Sequence, residues 1–154
     1  MVRPPLGPTP RDITNQLVSL LGGAKTFGVQ PRHSLDWIYL IRKGFPSSSL
    51  DSLGQNVGVT NAELAQVLGV SVRALAARRR QMFLSPYESE RLLRVARAAA
   101  RSEEIFGDLG EGVAWLKSPN AALDGNTPLS LLDTFVGVDC VMDMLGRIEH
   151  GVFA

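Results

Sequence analysis

The side chains best suited to chemistry in this sequence are arginines that follow a short turn between two predicted helices. Residues 60–80 place Gly69 between an apolar helix and a second helix that begins after Ser71. A glycine turn between two closely crossing helices is what a helix-turn-helix requires sterically. Such a unit presents the start of its second helix to a DNA groove and neutralises phosphates with arginines. The candidate DNA contacts are Ser71, Val72, Arg73, Arg78, Arg79 and Arg80.

The same helix-turn-helix also has a purely structural interpretation. Helices that read a DNA sequence usually carry glutamine, asparagine or arginine toward the bases, whereas Ala74, Ala76 and Ala77 offer none of these groups. A dimerisation module, or a helical hairpin with a solvated arginine face, would show the same pattern. The residues favour DNA contact, and the structural role stays open.

A second group of arginines follows one flank of a predicted long helix. Glu90 stands at helical spacing before Arg94, and Glu104 stands at helical spacing after Arg101. Ion pairs at such spacing are common and individually weak. We therefore interpret this flank as an ordinary charged helix face. Its arginines are Arg91, Arg94, Arg97 and Arg101.

The last predicted helix is followed by an apolar tip. Gly151 should release the helix, and Val152, Phe153 and Ala154 follow it. Chain ends are usually polar and frayed. An apolar tip indicates docking, either on the protein's own core or on a partner, and the residues alone do not choose between the two.

The sequence carries no enzyme or metal-site signature. The two histidines, His33 and His150, lack metal-ligand spacing. The single cysteine, Cys140, excludes a disulfide framework and is predicted to be a buried small hydrophobe on the apolar side of the last helix. The glycines at 107–110 lack the lysine that follows a phosphate-binding loop. We expect no catalytic residue, no metal and no cofactor.

The composition is that of a folded globular protein. The chain has 154 residues, of which 45% are hydrophobic and 20% are charged, enough for one domain or two small ones. No apolar run approaches the roughly 20 residues that span a bilayer, and the start of the chain lacks the apolar core of a signal peptide. We expect a cytoplasmic protein that does not enter a membrane.

The net charge of +1 hides an asymmetry between the two halves of the chain. Residues 1–84 hold ten Lys and Arg against four Asp and Glu, whereas residues 85–154 hold six against eleven. A basic half joined to an acidic half suggests two partners of opposite charge. Chance segregation of surface charge is the alternative.

Helical periodicity and capping residues predict an all-α fold with two lobes. A proline-rich disordered tail is expected at residues 1–11, a helix-turn-helix lobe at 12–84 and a smaller helical lobe at 85–154. Gly107 to Gly112 is predicted to be a break. The predicted helices are Asp12 to Leu21, Ser34 (as the cap) to Lys43, Ser49 to Val57, Thr60 to Leu68, Ser71 to Arg80, Ser85 to Phe106, Val113 to Lys117, a short helix opened by Thr127-Pro128, and Phe135 to Glu149.

A series of short motifs occurs in a characteristic order along the chain. Each motif is weak alone, and the ordered set is specific. They are Leu21-Gly22-Gly23, Gly44-Phe45-Pro46, Arg78-Arg79-Arg80, Leu84 to Leu92, Ile105 to Asp108, Ala114-Trp115-Leu116, Thr127-Pro128-Leu129, Leu132-Asp133-Thr134 and Gly146 to Phe153. From about Leu17 to Ala154 the sequence resembles the Xre/MbcA/ParS-type antitoxins of bacterial type II toxin–antitoxin systems, especially those paired with RES-domain toxins.

This resemblance implies a helix-turn-helix lobe, a toxin-binding lobe and no enzyme activity. It implies a toxin that consumes NAD or, in related systems, modifies a target with ADP-ribose. It also implies that the antitoxin's C-terminal end lies in or near the toxin's active-site cleft, where it sterically occludes the substrate. Self-association as a homodimer, a larger complex with the toxin, and repression of its own operon through operator DNA are also implied. The family often ends in Gly-Val-Tyr, whereas this chain has Phe153. The residues that map to the toxin contact are Arg147, Glu149, His150, Gly151, Val152, Phe153 and Ala154.

Two rival interpretations belong to other classes of protein. The first is a stand-alone helix-turn-helix transcriptional regulator whose second lobe dimerises or binds an effector. The second is a helical adaptor that does not contact DNA. Removing the C-terminal tip should abolish neutralisation in an antitoxin, and neither rival predicts that loss.

Overall fold

The computed structural model describes residues 10–151, with side chains from Ile13 onward. Within this range the backbone forms helices and no strand, which confirms the predicted all-α class. The α-helices are α1 (Pro10–Leu20), α2 (Ala24–Phe27), α3 (Ser34–Lys43), α4 (Ser48–Val57), α5 (Asn61–Leu68), α6 (Val72–Arg79), α7 (Pro86–Phe106), α8 (Leu109–Lys117) and α9 (Phe135–Glu149), and the 3-10 helices are Ala121–Leu123 and Leu129–Asp133.

Helices α5 and α6 form the predicted helix-turn-helix. Thr60 Oγ1 accepts a hydrogen bond from the Glu63 N–H at 3.2 Å, and Glu63 Oε1 accepts one from the Thr60 N–H at 2.9 Å. This reciprocal capping box fixes the start of α5. Gly69 has a φ of 71°, in the left-handed region that favours glycine, and makes the turn. Leu75 of α6 is fully buried and holds the second helix against the first.

The long helix α7 is the central support of the fold. It begins after Ser85, whose Oγ accepts a hydrogen bond from the Glu88 N–H at 3.1 Å, and it runs to Phe106 as predicted. Helices α1, α3, α4 and α5, which precede α7 in the chain, and α8 and α9, which follow it, all contact α7. Small side chains on its buried side allow these helices to approach closely. The fully buried residues of α7 include Leu92, Ala96, Ala98 and Ala99.

Polar contacts also join the residues before α7 directly to the residues after it. Lys117 Nζ of α8 lies 3.1 Å from Glu63 Oε1 of α5 and donates to the Gly58 carbonyl at 2.9 Å. Gln66 Nε2 of α5 donates to the Ser130 carbonyl of the 3-10 helix at 2.9 Å. Buried apolar residues from both sides of residue 85 form one cluster. The helix-turn-helix and α9 therefore stand on a common frame.

The predicted break at Gly107 to Gly112 is wrong over most of its length. Helix α8 begins at Leu109 instead of Val113, because Asp108 Oδ2 accepts a hydrogen bond from the Glu111 N–H at 3.0 Å and caps the helix. Gly112 lies inside α8, where a Cβ atom would come within 2.6 Å of Ser102 Oγ. This glycine permits close packing of α8 on α7 and does not mark a loop.

Smaller differences from prediction occur at helix starts. The cap of α3 is His33 and not Ser34, and Asp36 Oδ2 accepts from the backbone N–H groups of Arg32 and His33 at 2.8 and 3.4 Å.

Helix α4 begins one residue earlier than predicted, and α2 was not predicted because a single turn carries no periodicity. Helix α1 begins at Pro10, since proline is tolerated in a first helical turn. Residues 1–9 of the predicted tail lie outside the described residues.

Candidate functional site

The start of α6 presents the first three candidate DNA-contacting residues on the surface. Ser71 Oγ accepts a hydrogen bond from the Ala74 N–H at 3.0 Å and caps the helix. Ser71, Val72 and Arg73 are all exposed, whereas Leu75, one turn further along, is fully buried. A helix start carrying a positive charge is suited to the edge of a DNA groove.

The three consecutive arginines at the end of α6 have different surroundings. Arg78 Nε donates to Glu88 Oε2 of α7 at 2.6 Å, and Arg79 Nε donates to Asp51 Oδ1 of α4 at 2.7 Å. Arg79 Nη2 also donates to Asn61 Oδ1 at 2.7 Å. Arg80 is exposed and forms no ion pair within the described part of the chain. Two of these arginines hold α6 to its neighbours, and the third is available to a partner.

Glu88 is the buried acid that holds the end of α6. Its side chain is 7% exposed, and it accepts hydrogen bonds from Arg78 and from the Ser85 N–H, the latter at 3.0 Å. Burial acts to raise the pKa of Glu88, but these hydrogen bonds outweigh it and hold the pKa below its usual value. Glu88 is therefore an ionised group that couples the helix-turn-helix to α7.

The two ion pairs predicted along the α7 arginine flank are present in the structure. Arg94 Nε lies 2.9 Å from Glu90 Oε1, and Arg101 Nη1 lies 3.2 Å from Glu104 Oε2, as the spacing predicts. Contacts across the fold add to these pairs. Arg94 Nη1 donates to the Leu132 carbonyl at 3.3 Å, Arg91 Nη1 donates to the Val67 carbonyl at 3.0 Å, and Arg97 is exposed.

The end of α9 places four of the candidate toxin-binding residues at the surface. Arg147, Glu149, His150 and Gly151 are exposed, and Gly151 has a φ of 69° directly after the helix. Glu149 Oε2 accepts from Arg101 Nη1 at 2.6 Å, and this contact lowers the pKa of Glu149 and raises that of Arg101. Glu149 thus fastens the end of α9 to α7. Val152, Phe153 and Ala154 lie outside the described residues.

A shallow groove of about 370 Å³ lies beside this end of α9. One carboxylate, one guanidinium and one imidazole line it, beside the apolar side chain of a methionine. A helix end with such a groove can bind a complementary polar edge of another protein. The groove is lined by Met142, Asp143, Gly146, Arg147 and His150.

The prediction that Cys140 is buried is wrong, because the residue is exposed. Val141 and Leu145, which are fully buried, define the inner side of α9, and Cys140 is turned about 100° from Val141 around the helix. We call the opposite, exposed stripe the outer face of α9. It comprises Val136, Asp139, Cys140, Asp143 and Arg147.

Two apolar residues at the start of α9 were not singled out from the sequence. Phe135 and Val136 are 72% and 69% exposed. Their signal in the sequence is the helical phase, because Val141 and Leu145 assign the inner side and leave both residues off it. Together they make the start of α9 apolar and exposed, at the end of the helix opposite Arg147.

Neither a metal-ligand cluster nor a membrane-spanning helix occurs among the described residues. Within residues 13–151, no group of three or more His, Cys, Asp or Glu side chains is arranged to hold a metal ion. None of the helices described is both long and apolar enough to cross a membrane.

Comparison with known families divides the chain into two parts. Residues 36–97 match the antitoxin Xre-like helix-turn-helix domain. Residues 101–151 match the antitoxin Xre/MbcA/ParS C-terminal toxin-binding domain, which includes α8, both 3-10 helices and α9. The helix-turn-helix and the outer face of α9 thus fall in different matched regions.

Curated relatives carry the name antitoxin. "Antitoxin Xre" of Yersinia enterocolitica is 35% identical over 116 residues, which cover 74% of this chain and 78% of the relative. "Antitoxin Xre" of Pseudomonas putida is 34% identical over 112 residues, covering 72% and 69%. "Prs ADP-ribosylating antitoxin" of a Sphingobium species is 30% identical over 132 residues, covering 78% and 82%. The chain therefore belongs to the Xre family of antitoxins, with a helix-turn-helix domain followed by the family's toxin-binding domain.

Proposed function

We propose that this antitoxin neutralises an NAD-consuming toxin of the RES type by occluding the toxin's active site with its C-terminal segment. The observation that carries the proposal is the match of residues 101–151 to the toxin-binding domain, because α9 closes that domain with an exposed end. The segment from Arg147 to Ala154 begins in the last turn of α9, and its sequence carries charged residues, then Gly151, then three apolar residues. A peptide of this kind fits a substrate cleft by filling the space that the substrate needs.

Co-expression with the product of the adjacent reading frame tests this proposal. We expect the neighbour alone to be toxic, to deplete cellular NAD and to co-purify with the full chain. A chain that lacks Gly151 to Ala154 should fold and bind yet fail to prevent NAD depletion. Thermal unfolding of the shortened chain is the control for folding. A harmless neighbour that does not bind the full chain contradicts the proposal.

We also propose that α6 contacts operator DNA and represses the chain's own operon. The exposed helix start, Ser71 to Arg73, supports this role, as does Arg80, which has no ion pair in the part of the chain that the structure describes. Arg78 and Arg79 were expected to bind phosphates, but each already has an acidic partner in the protein. We therefore assign phosphate contact first to Arg73 and Arg80.

Salt dependence of operator binding tests the role of α6. Arg73→Ala and Arg80→Ala should each weaken binding across sequences and reduce the slope of log K against log salt by about 0.9, because each phosphate contact releases counterions. Arg97→Ala, an exposed arginine of α7, is the matched control and should leave the slope unchanged. If Arg73→Ala and Arg80→Ala also leave the slope unchanged, the adaptor interpretation is favoured.

We further propose that the chain acts without a catalytic group or cofactor, in the cytoplasm, as a homodimer that joins a larger complex with the toxin. The antitoxin names of its relatives support a binding role.

A transcriptional regulator without a toxin remains the second candidate function, and the helix-turn-helix match favours it. Operator binding that survives while the C-terminal deletion changes no toxicity would select this second candidate.

A further inference from the structure

The start of α9 carries two large apolar side chains that the fold itself does not use. Phe135 and Val136 stand 72% and 69% exposed on consecutive positions. Single exposed apolar residues are ordinary, but two large ones exposed side by side at the start of a helix mark interaction sites more often. Asp139 and Asp143 follow on the same side, and neither forms an ion pair among the described residues. The patch is therefore apolar at its centre and acidic at its border.

Backbone packing holds this patch in a fixed position. Thr134 Oγ1 accepts a hydrogen bond from the Gly137 N–H at 2.9 Å and caps α9. A Cβ atom at Gly137 would lie 1.8 Å from the Leu131 carbonyl oxygen, so the start of α9 rests directly on the 3-10 helix. A backbone fixed in this way loses little freedom when its side chains bind a partner, which favours affinity.

The patch is continuous with the surface already assigned to the toxin. Val136, Cys140, Asp143 and Arg147 follow one another at spacings that align them along a single side of α9. A helix of this length extends over about 20 Å. A protein that binds Arg147 at one end of this stripe can therefore also contact Val136 at the other end.

We propose that Phe135 and Val136 anchor the toxin at the end of α9 opposite the occluding segment. This inference rests on the proposed function and assigns the anchor to an apolar depression on the toxin bordered by basic side chains. Asp139 and Asp143 supply the complementary charge. The anchor contributes affinity and lifetime to the complex, whereas the segment from Arg147 to Ala154 blocks the active site.

Binding measurements with the purified product of the adjacent reading frame test the anchor. Phe135→Ala should weaken the equilibrium affinity on the order of 30-fold, mostly through faster dissociation, as truncation of a buried aromatic anchor does. Val136→Ala should have a smaller effect in the same direction. Tyr39→Ala, which removes an aromatic side chain 62% exposed on α3, is the matched control and should bind as the unaltered chain does.

A charge reversal gives the second arm of the test. Asp139→Lys with Asp143→Lys should slow association and remove its acceleration at low salt, because complementary charge acts mainly on the rate of encounter. Thermal unfolding of every variant should match the unaltered chain, since all these side chains are exposed. Full affinity in Phe135→Ala overturns the anchor, as does an equal loss in Tyr39→Ala.

Saturating concentrations separate the anchor from the occluding segment. Phe135→Ala should still suppress NAD consumption fully once enough protein is added, whereas the chain without residues 151–154 should bind and not suppress it. If the unaltered chain does not bind the neighbour, the proposed function fails and the anchor fails with it. If Phe135→Ala instead dissociates a dimer of this chain and leaves toxin affinity unchanged, the patch joins two copies and the anchor is overturned.

Discussion

Helices α6 and α9 both carry charged residues toward the surface, but the protein uses those charges differently. At the end of α6, Arg78 and Arg79 turn toward acids of α7 and α4. On the outer face of α9, Asp143 and Arg147 have no ion pair among the described residues, and apolar side chains lie exposed beside them. The charges of Arg78 and Arg79 build the fold, whereas the charges on the outer face of α9 are available to a partner.

Structural and functional charges in this protein can be separated by whether each charged side chain has a partner within the fold. An arginine whose hydrogen bonds end on a buried acid contributes to stability, and its removal should be visible in unfolding. A charged residue without such a partner should be silent in unfolding and visible only when another molecule binds. Stability and binding measurements on the same variants therefore test the comparison directly.

The largest expected effect comes from Gly137→Ala at the start of α9. The added methyl group would meet the Leu131 carbonyl oxygen at 1.8 Å, and a backbone oxygen cannot move aside as a side chain can. We expect a loss of about 3 kcal/mol in the free energy of unfolding, measured in urea.

Gly146→Ala is the matched control for that prediction. It lies in the same helix, and a Cβ atom there would meet no heavy atom within 4 Å. Alanine should stabilise the helix by about 0.5–1 kcal/mol relative to glycine. Equal effects at the two positions would contradict the fixed seating of α9 on the 3-10 helix.

A smaller loss is expected for Glu88→Gln. Glutamine keeps the shape and can still cap α7, but it removes the charge that Arg78 binds at 2.6 Å. We expect a loss of about 2 kcal/mol at neutral pH, the usual range for a hydrogen bond to a charged group. Glu111→Gln, an exposed glutamate in the first turn of α8, serves as the control.

The same variant should change how stability depends on pH. The pKa of Glu88 is lower in the folded protein than its ordinary value of 4.5, so its stabilisation is complete above that value and disappears as pH falls through the lowered pKa. The pKa of Glu63 is lowered in the same way. The unaltered chain should therefore lose stability as pH falls below about 4.5, and Glu88→Gln should lose less. Parallel pH profiles would show that Glu88 is not the coupled group.

The smallest effects compare the two helices directly. Arg79→Ala should cost about 1 kcal/mol of stability, because its pair with the exposed Asp51 is partly screened by water. Arg147→Ala should change stability by less than about 0.5 kcal/mol and should weaken toxin binding instead. Calorimetric unfolding and a binding titration on both variants give the two readouts. A large stability loss in Arg147→Ala would remove the distinction between the two faces.

Helices with strong local signals were predictable from the sequence. Thr60 with Glu63 and Ser85 with Glu88 marked the starts of α5 and α7, and Phe135 to Glu149 was predicted with its observed bounds. These signals work because a capping box acts within four residues of chain. The ion pairs of Arg94 and Arg101 with neighbouring glutamates were predictable for the same reason.

Features that depend on distant residues were not predictable. Gly112 was predicted to lie in a break, but it packs against Ser102 of α7. Cys140 was predicted to be buried, but Val141 and Leu145 form the inner side of α9 and leave Cys140 exposed. The role of Arg78 depended on Glu88, which another helix brings to it. Residue type alone does not distinguish a phosphate ligand from an arginine that holds two helices together.

Local chemistry in the chain thus determined the helical class, the helix-turn-helix and the motifs that carry the family resemblance, because turns, caps and periodicity act over a few residues. Tertiary packing decided which charges are used inside the protein and which are presented outside. It did so because burial and ion pairing depend on groups that α7 brings together from opposite ends of the chain. The exposed Phe135 and Val136 on a fixed helix start are a product of that packing.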